Sequence, residues 1–208
     1  SIVESIDATE EERRDYVGQT IQLSILQFEL LLRKNEPDEA LSKIMDPRIW
    51  SLTVASQCLD TVLLMPSSSS FSNVSVSILE KLLYDVVRDG NDSSQKDHFD
   101  IQFYTKWSRV LIQTYLELNM FEKLSAFLDQ FETLLAHSSL PLVPSNDSFQ
   151  NDLLWTCIAV WNVSTDLWSV NDFEGAKDWM QVALSFASYC KQDCPQIKAM
   201  RDAYSEFL

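Results

Sequence analysis

A chain of 208 residues with 46% hydrophobic content is long enough to bury a core, and only three glycines and six prolines leave little material for the tight turns of β-hairpins. The formal net charge of −15 repels phosphate. It argues against direct nucleic-acid binding and against attachment to an anionic membrane, and favours a basic or amphipathic protein partner.

Thr9-Glu10-Glu11-Glu12 reads as a capping box. Behind it Val17, Ile21, Ile25, Phe28 and Leu32 recur at helical spacing, with Leu23, Leu26 and Leu30 widening the stripe, so a helix is expected over about 9–34. Asn35-Glu36-Pro37 breaks it, and a short helix over about 37–45 turns Ala40, Leu41 and Ile44 inward. Asp46-Pro47 restarts the chain for a helix over about 47–65, carrying Leu52, Ala55, Leu59 and Val62. Pro66 and Ser67 to Ser70 form a loop. Val76, Leu79, Leu83 and Val86 mark a helix over about 74–88, ended by Gly90-Asn91-Asp92-Ser93-Ser94. A longer pair follows. Tyr104, Trp107, Leu111, Tyr115 and Leu118 make one stripe and, after Asn119-Met120, Phe121, Leu124, Leu128, Phe131 and Leu135 make the other. A loop over about 138–147 contains Pro141 and Pro144. Two helices over about 148–170 and 172–190 come next, and Asp193-Cys194-Pro195 opens a last one with Ile197, Met200, Tyr204 and Phe207 on one face. Nine helical segments joined by short breaks give a bundle or an α-solenoid.

Motifs for chemistry are sparse. Three glycines cannot build a phosphate-binding loop, and no H-E-x-x-H occurs. His98 and His137 stand without a marked acidic partner, so a Ser or Cys nucleophile lacks an evident base. Glu10, Glu11 and Glu12 fit a helix start, where negative charge meets the positive end of the dipole. Cys190 and Cys194 lie four apart with no second pair, and Cys58 and Cys157 stand elsewhere. This is not zinc-site spacing, and reduced thiols of an intracellular protein fit better. The expectation is a chain that is not an enzyme, with no cofactor, no metal and no small-molecule ligand. No apolar run approaches the roughly 20 residues of a membrane span. The chain begins without methionine and stops directly after a helical pattern at Phe207-Leu208, so it reads as a single segment, 1–208, cut from a longer protein.

Asn171-Asp172-Phe173-Glu174-Gly175-Ala176, followed by Met180 and Ala183-Leu184, resembles the second half of a tetratricopeptide repeat. A polar turn precedes an aromatic residue, a small residue lies three further on, and another follows seven later. Small residues belong where two helices approach closely, because a larger side chain would separate them. The preceding helix carries Val160, Val163, Leu167 and Val170, with Ser164 in place of the usual glycine and Leu167 or Trp168 in place of the usual aromatic. Asn119-Met120-Phe121 with Leu124, Leu128 and Phe131 echoes the pattern, and Asn35-Glu36-Pro37 with Ala40 and Ile44 does so more faintly. The fold expected is therefore an all-α, tetratricopeptide-like solenoid of antiparallel helix pairs.

The helix over 148–170 has a second apolar stripe, Leu154, Ile158, Trp161, Thr165 and Trp168. In a tetratricopeptide repeat the first helix of each pair lines the ligand groove, and this register turns Ile158, Trp161, Thr165 and Trp168 there. Tryptophans at helical spacing also pack against neighbouring helices, so core and groove both stay open for Trp161 and Trp168. Asn162 adjoins Trp161 within the helix and offers two donors and an acceptor to an incoming backbone.

Asp152-Leu153-Leu154-Trp155, Trp161-Asn162, then Asn171-Asp172-Phe173, Ala176, Trp179 and Ala183-Leu184 resemble the meiotic repeat proteins of the Zip-four, or sporulation-twenty-two, family. Trp161-Asn162 sits twelve residues before Phe173, in that family's register. Met180, Gln181 and Gly175 depart from it. The resemblance covers about 40 residues. It implies the C-terminal part of a long solenoid that promotes crossover recombination and synaptonemal-complex assembly on meiotic chromosomes in the nucleus. The docking residues it implies for a synaptonemal-complex or crossover partner are Trp161 and Asn162. Two other readings fit the sequence: a different tetratricopeptide adaptor, such as a chaperone cofactor gripping a C-terminal carboxylate, and a helical regulatory subunit of an intracellular complex.

Overall fold

The computed structural model describes residues 10–65, 69–91, 101–137, 147–191 and 193–207. Among them the chain is all-helical, with no strand: α1 (Glu10–Arg33), α2 (Pro37–Ile44), α3 (Leu52–Leu63), α4 (Ser69–Asn91), α5 (Ile101–Glu117), α6 (Phe121–His137), α7 (Asp147–Ser169), α8 (Phe173–Ala187) and α9 (Pro195–Phe207). These form two compact units, Ser1–Asp89 and Gly90–Leu208.

In the first unit α1 packs against α2 and α3. Its centre is Phe28 and Leu32 of α1, Ala40 and Ile44 of α2, Ala55, Cys58 and Leu59 of α3, and Ile78, Leu79 and Leu82 of α4, all essentially sealed from solvent. Trp50, in the link before α3, donates its indole N–H to Asp85 of α4 at 2.7 Å, and Lys81 reaches the same carboxylate oxygen at 2.9 Å. The buried stripe of α1 is narrower than the sequence suggests. Ser24, Phe28 and Leu32 are buried, whereas Val17, Leu23, Leu26 and Leu30 are each more than half exposed. One helix face fits against α2 and α3, so the leucines expected to widen the stripe lie outside it.

In the second unit α7 packs against α8 in the most extensive helix pairing among the described residues, α5 lies against both α6 and α7, and α9 lies against α8. Phe131 of α6 meets Tyr104 of α5 at a ring-centroid distance of 5.4 Å and Phe186 of α8 at 5.3 Å. Arg109 of α5 covers the Trp155 ring at 4.8 Å and bonds Asp152 at 3.2 Å, joining α5 to α7.

Three helix pairs close with the same turn. Asn35, Asn119 and Asn171 adopt positive φ of 61°, 55° and 65° between α1 and α2, α5 and α6, and α7 and α8. Asparagine tolerates this left-handed conformation better than other residues with a Cβ. In each turn the next residue's N–H reaches back five residues: Glu36 to Leu31, Met120 to Tyr115 and Asp172 to Leu167, at 2.9, 2.9 and 3.0 Å. That same residue's carbonyl starts the second helix, accepting from Ala40, Leu124 and Ala176. Burial repeats too. The residues eleven and seven before the asparagine, and five and nine after it, are buried in all three pairs. They are Ser24, Phe28, Ala40 and Ile44; Ser108, Ile112, Leu124 and Leu128; and Val160, Ser164, Ala176 and Met180. Such helix–helix packing is consistent with a helical repeat.

Some boundaries differ from expectation. The third helix begins at Leu52 rather than near Pro47. Asp46 holds Arg48 by backbone and side chain, at 2.9 and 3.0 Å, in a turn that precedes the helix. Ser51 is the cap that wins, with its side chain accepting from the Val54 N–H at 3.2 Å. The fourth helix runs from Ser69 to Asn91, so Ser69 and Ser70 belong to it rather than to a loop, and Gly90-Asn91 continue it. Within it the Ser77 hydroxyl bonds back to the Asn73 carbonyl at 3.1 Å, the i−4 pattern open to a serine inside a helix. Thr9 of the capping box, Pro66 to Ser68, Asp92 to Ser94, His98 and the Pro141–Pro144 loop lie outside the described residues.

Candidate functional site

The second stripe of α7 runs beside its buried face. Phe149, Leu153, Cys157, Val160 and Ser164 are buried against the rest of the unit. Along the flank Leu154, Ile158 and Trp161 are half-buried, and at its C-terminal end Thr165 and Trp168 are exposed. Asn162 is exposed, and its amide has no hydrogen-bond partner among the described residues. Trp161 and Asn162 are therefore not sealed in the core.

The local bonds fix this helix face. The Trp161 carbonyl accepts from Ser164 at 2.6 Å and from Thr165 at 3.2 Å. The Thr165 hydroxyl proton is thus committed to its own helix. Trp168 meets Phe173 of α8 across the turn, with ring centroids 4.5 Å apart at 66°. Trp168 is 40% exposed and Phe173 47% exposed. The five expected residues share one flank of α7, with Trp161 and Trp168 two helical turns, about 10 Å, apart. Ile158 is one turn before Asn162.

Asp172 sets where α8 begins. Its carboxylate accepts from the Gly175 N–H at 3.0 Å. A Cβ at Gly175 would come within 2.5 Å of that carboxylate, which explains the unusual glycine in the first turn of α8. Ala176 and Ala183 are fully buried, as expected for residues at a close helix crossing.

At the N-terminal end of the same flank lies a cavity of about 240 Å³, lined in part by Gln150, Leu154, Cys190 and Cys194. Gln150 accepts from the Lys191 N–H at 2.9 Å, and the Lys191 ammonium bonds Asp147 at 2.8 Å. That hydrogen bond, with the lysine charge, lowers the Asp147 carboxyl below its ordinary range.

Three features went unread in the sequence. Phe173 faces Trp168 and extends the aromatic edge; its place in the repeat grammar was legible, its partner was not. Phe121, 42% exposed, meets Trp179 of α8 at 6.3 Å. Cys157 and Cys190 come together across 33 residues, with no spacing signal to announce it. Among the described residues no group of three or more His, Cys, Asp or Glu side chains is placed to hold a metal, and no helix is long and apolar enough to cross a membrane.

The flank offers indole faces, an exposed amide, and no Lys or Arg between Ile158 and Trp168. Exposed carboxylates border it at Asp166, Asp172 and Glu174. Such a surface suits a short amphipathic segment carrying positive charge at its rim. No family model, no curated protein and no solved structure matches the chain.

Proposed function

We propose that this chain is a tetratricopeptide-type docking scaffold, not a catalyst, whose α7 flank receives a short helical segment of another protein. One observation carries the reading. The indole of Trp161 is half-buried, the amide of Asn162 beside it is exposed and has no partner among the described residues, and Trp168 is exposed on the same flank. A partly seated indole beside an available amide has the composition of an interface hot spot. Ile158 and Thr165 complete the surface. The repeated turn and burial pattern of three helix pairs supports the solenoid reading.

The resemblance of Trp161-Asn162 and Asn171-Asp172-Phe173 to the Zip-four family supports a narrower role. In it the partner is a synaptonemal-complex or crossover protein, and the scaffold promotes crossover recombination on meiotic chromosomes in the nucleus. A carboxylate-gripping adaptor gains no support, because the flank carries no basic side chain.

The test uses labelled synthetic helical segments of synaptonemal-complex and crossover proteins, titrated against the purified chain by fluorescence anisotropy. Trp161→Ala and Asn162→Asp should each weaken binding by roughly 30-fold or more, the effect of losing about 2 kcal/mol at a hot spot. Far-UV circular dichroism should stay helical. Unchanged binding in both variants would remove the site assignment. A wild-type chain that binds no segment would remove the meiotic role.

A further inference from the structure

Cys157 lies in the middle of α7, fully buried, and Cys190 lies in the link after α8, 7% exposed. Their sulfur atoms are 3.8 Å apart. A disulfide needs about 2.05 Å, so the gap to close is roughly 1.8 Å. Cys190 lies outside regular helix, where its N–H bonds the Ala187 carbonyl at 3.3 Å and its thiol donates to the Phe186 carbonyl at 3.7 Å, so the bonds of its own that closure must loosen are long ones. A route for a small oxidant also exists. Cys190 lines the cavity of about 240 Å³ beside Leu154 and Cys194, ample room for a molecule the size of water, which needs about 10–15 Å³ of such space.

We propose that Cys157 and Cys190 are a modification site: a dithiol that a peroxide converts to a reversible disulfide, pinning the link after α8 to the centre of α7. The Cys190 thiolate attacks one peroxide oxygen, the O–O bond breaks, and Cys190 becomes a sulfenic acid while hydroxide leaves and is protonated to water. The Cys157 sulfur then attacks the sulfenic sulfur, the S–O bond breaks, and a second water departs with the Cys157 proton. Two thiols lose two electrons, and one peroxide gains them.

The environment assigns the order of events. The hydrogen bond between the sulfurs holds the Cys190 thiol down, against the opposing effect of its burial. The same bond, together with burial and the neighbouring Cys190 charge, pushes the Cys157 thiol up. Cys190, at the cavity, is therefore the attacking sulfur, and Cys157 is the resolving one. Cys194 also borders the cavity, but its thiol donates to the Gln196 side chain at 2.9 Å and points its chemistry elsewhere. This inference does not depend on the docking role of α7.

The purified chain is treated with hydrogen peroxide, alkylated, digested without reductant and mapped by mass spectrometry. The expected product is a Cys157–Cys190 linked peptide, two of the four thiols lost, both restored by dithiothreitol, and a higher thermal midpoint. Cys194→Ser should still form the link, and Cys190→Ser should not. Cys157→Ala should stop at a sulfenic or overoxidised Cys190; if that core variant fails to fold, the wild-type map decides alone. Recovery of Cys157 and Cys190 as alkylated thiols while Cys194 is oxidised, or a Cys190–Cys194 link instead, would overturn the proposal.

Discussion

The three left-handed asparagines make a quantitative test of the repeated turn. At φ of 61°, 55° and 65° a Cβ crowds the following carbonyl oxygen, at a cost of about 1–2 kcal/mol for an ordinary residue. Asparagine bears less of this cost, because its short polar side chain bonds locally. Replacing Asn119 or Asn171 by alanine should therefore cost about 1 kcal/mol. Replacement by glycine removes the crowding but frees the unfolded chain, an opposing effect of roughly 0.5–1 kcal/mol, so the net change should lie near zero. Valine, stiff at χ1, should be worse than alanine. With a urea slope of about 2 kcal/mol/M, the alanine variants should lose roughly 0.5 M in midpoint and the glycine variants almost nothing. Far-UV circular dichroism and tryptophan fluorescence should report the same midpoint. If alanine is tolerated as well as glycine at these positions, the shared turn does not exist and the pairs are not copies of one unit.

Size demands at equivalent positions should run in opposite directions. Ala176 and Leu124, each fully buried five residues after its turn asparagine, should respond oppositely to bulk. Leu124→Ala should cost about 2–5 kcal/mol through a cavity. Ala176→Leu should cost about 1–3 kcal/mol through overpacking, and denaturant midpoints that leave either change silent would refute the close crossing. Alkaline solution should weaken both units. Burial pushes the Cys58 thiol from 9.0 up to about 12, and burial, partly opposed by Ser108, pushes the Tyr104 phenol from 10.0 up to about 12. The unfolded chain then releases these protons first, so stability is complete below pH 9 and declines as pH rises toward 12. Urea midpoints at pH 8, 10 and 11 read this, and Cys58→Ala should flatten the early part of the decline.

The turns were legible because Asn35, Asn119 and Asn171 carry the one requirement that local chemistry announces, a backbone conformation few residues accept. The residues placed five and nine beyond them were legible for the same reason: once the turn is fixed, helical geometry dictates which positions face inward. The start of α3 was not, since Asp46-Pro47 and Ser51 are both plausible caps, and only the capture of Asp46 by Arg48 leaves Ser51 to open the helix. The exposed leucines of α1 escaped because a helical period says which residues share a face, not how wide a neighbour covers it. The flank of α7 was readable as an apolar stripe. Its exposure was not, because a buried indole and an exposed one are written identically. Long-range pairs such as Arg109 with Trp155, or Cys157 with Cys190, leave no trace in local spacing at all.

The packing and the candidate site are coupled through α8. Ser164 of α7 and Ala176 and Ala183 of α8 are buried with almost no side-chain bulk, so the two helices come close. The Asp172 cap, which Gly175 makes room for, fixes the first turn of α8. Together these set Phe173 against Trp168, at 4.5 Å between ring centroids. The aromatic edge is thus a product of small residues several positions away from it. Enlarging Ala176 should separate the helices and part the two rings without altering any residue of the flank. If the C-terminal end of the flank contributes to docking, Ala176→Leu should weaken partner binding while Trp161 and Asn162 remain intact. Binding that survives this change but not Trp161→Ala would confine the contact to the middle of α7.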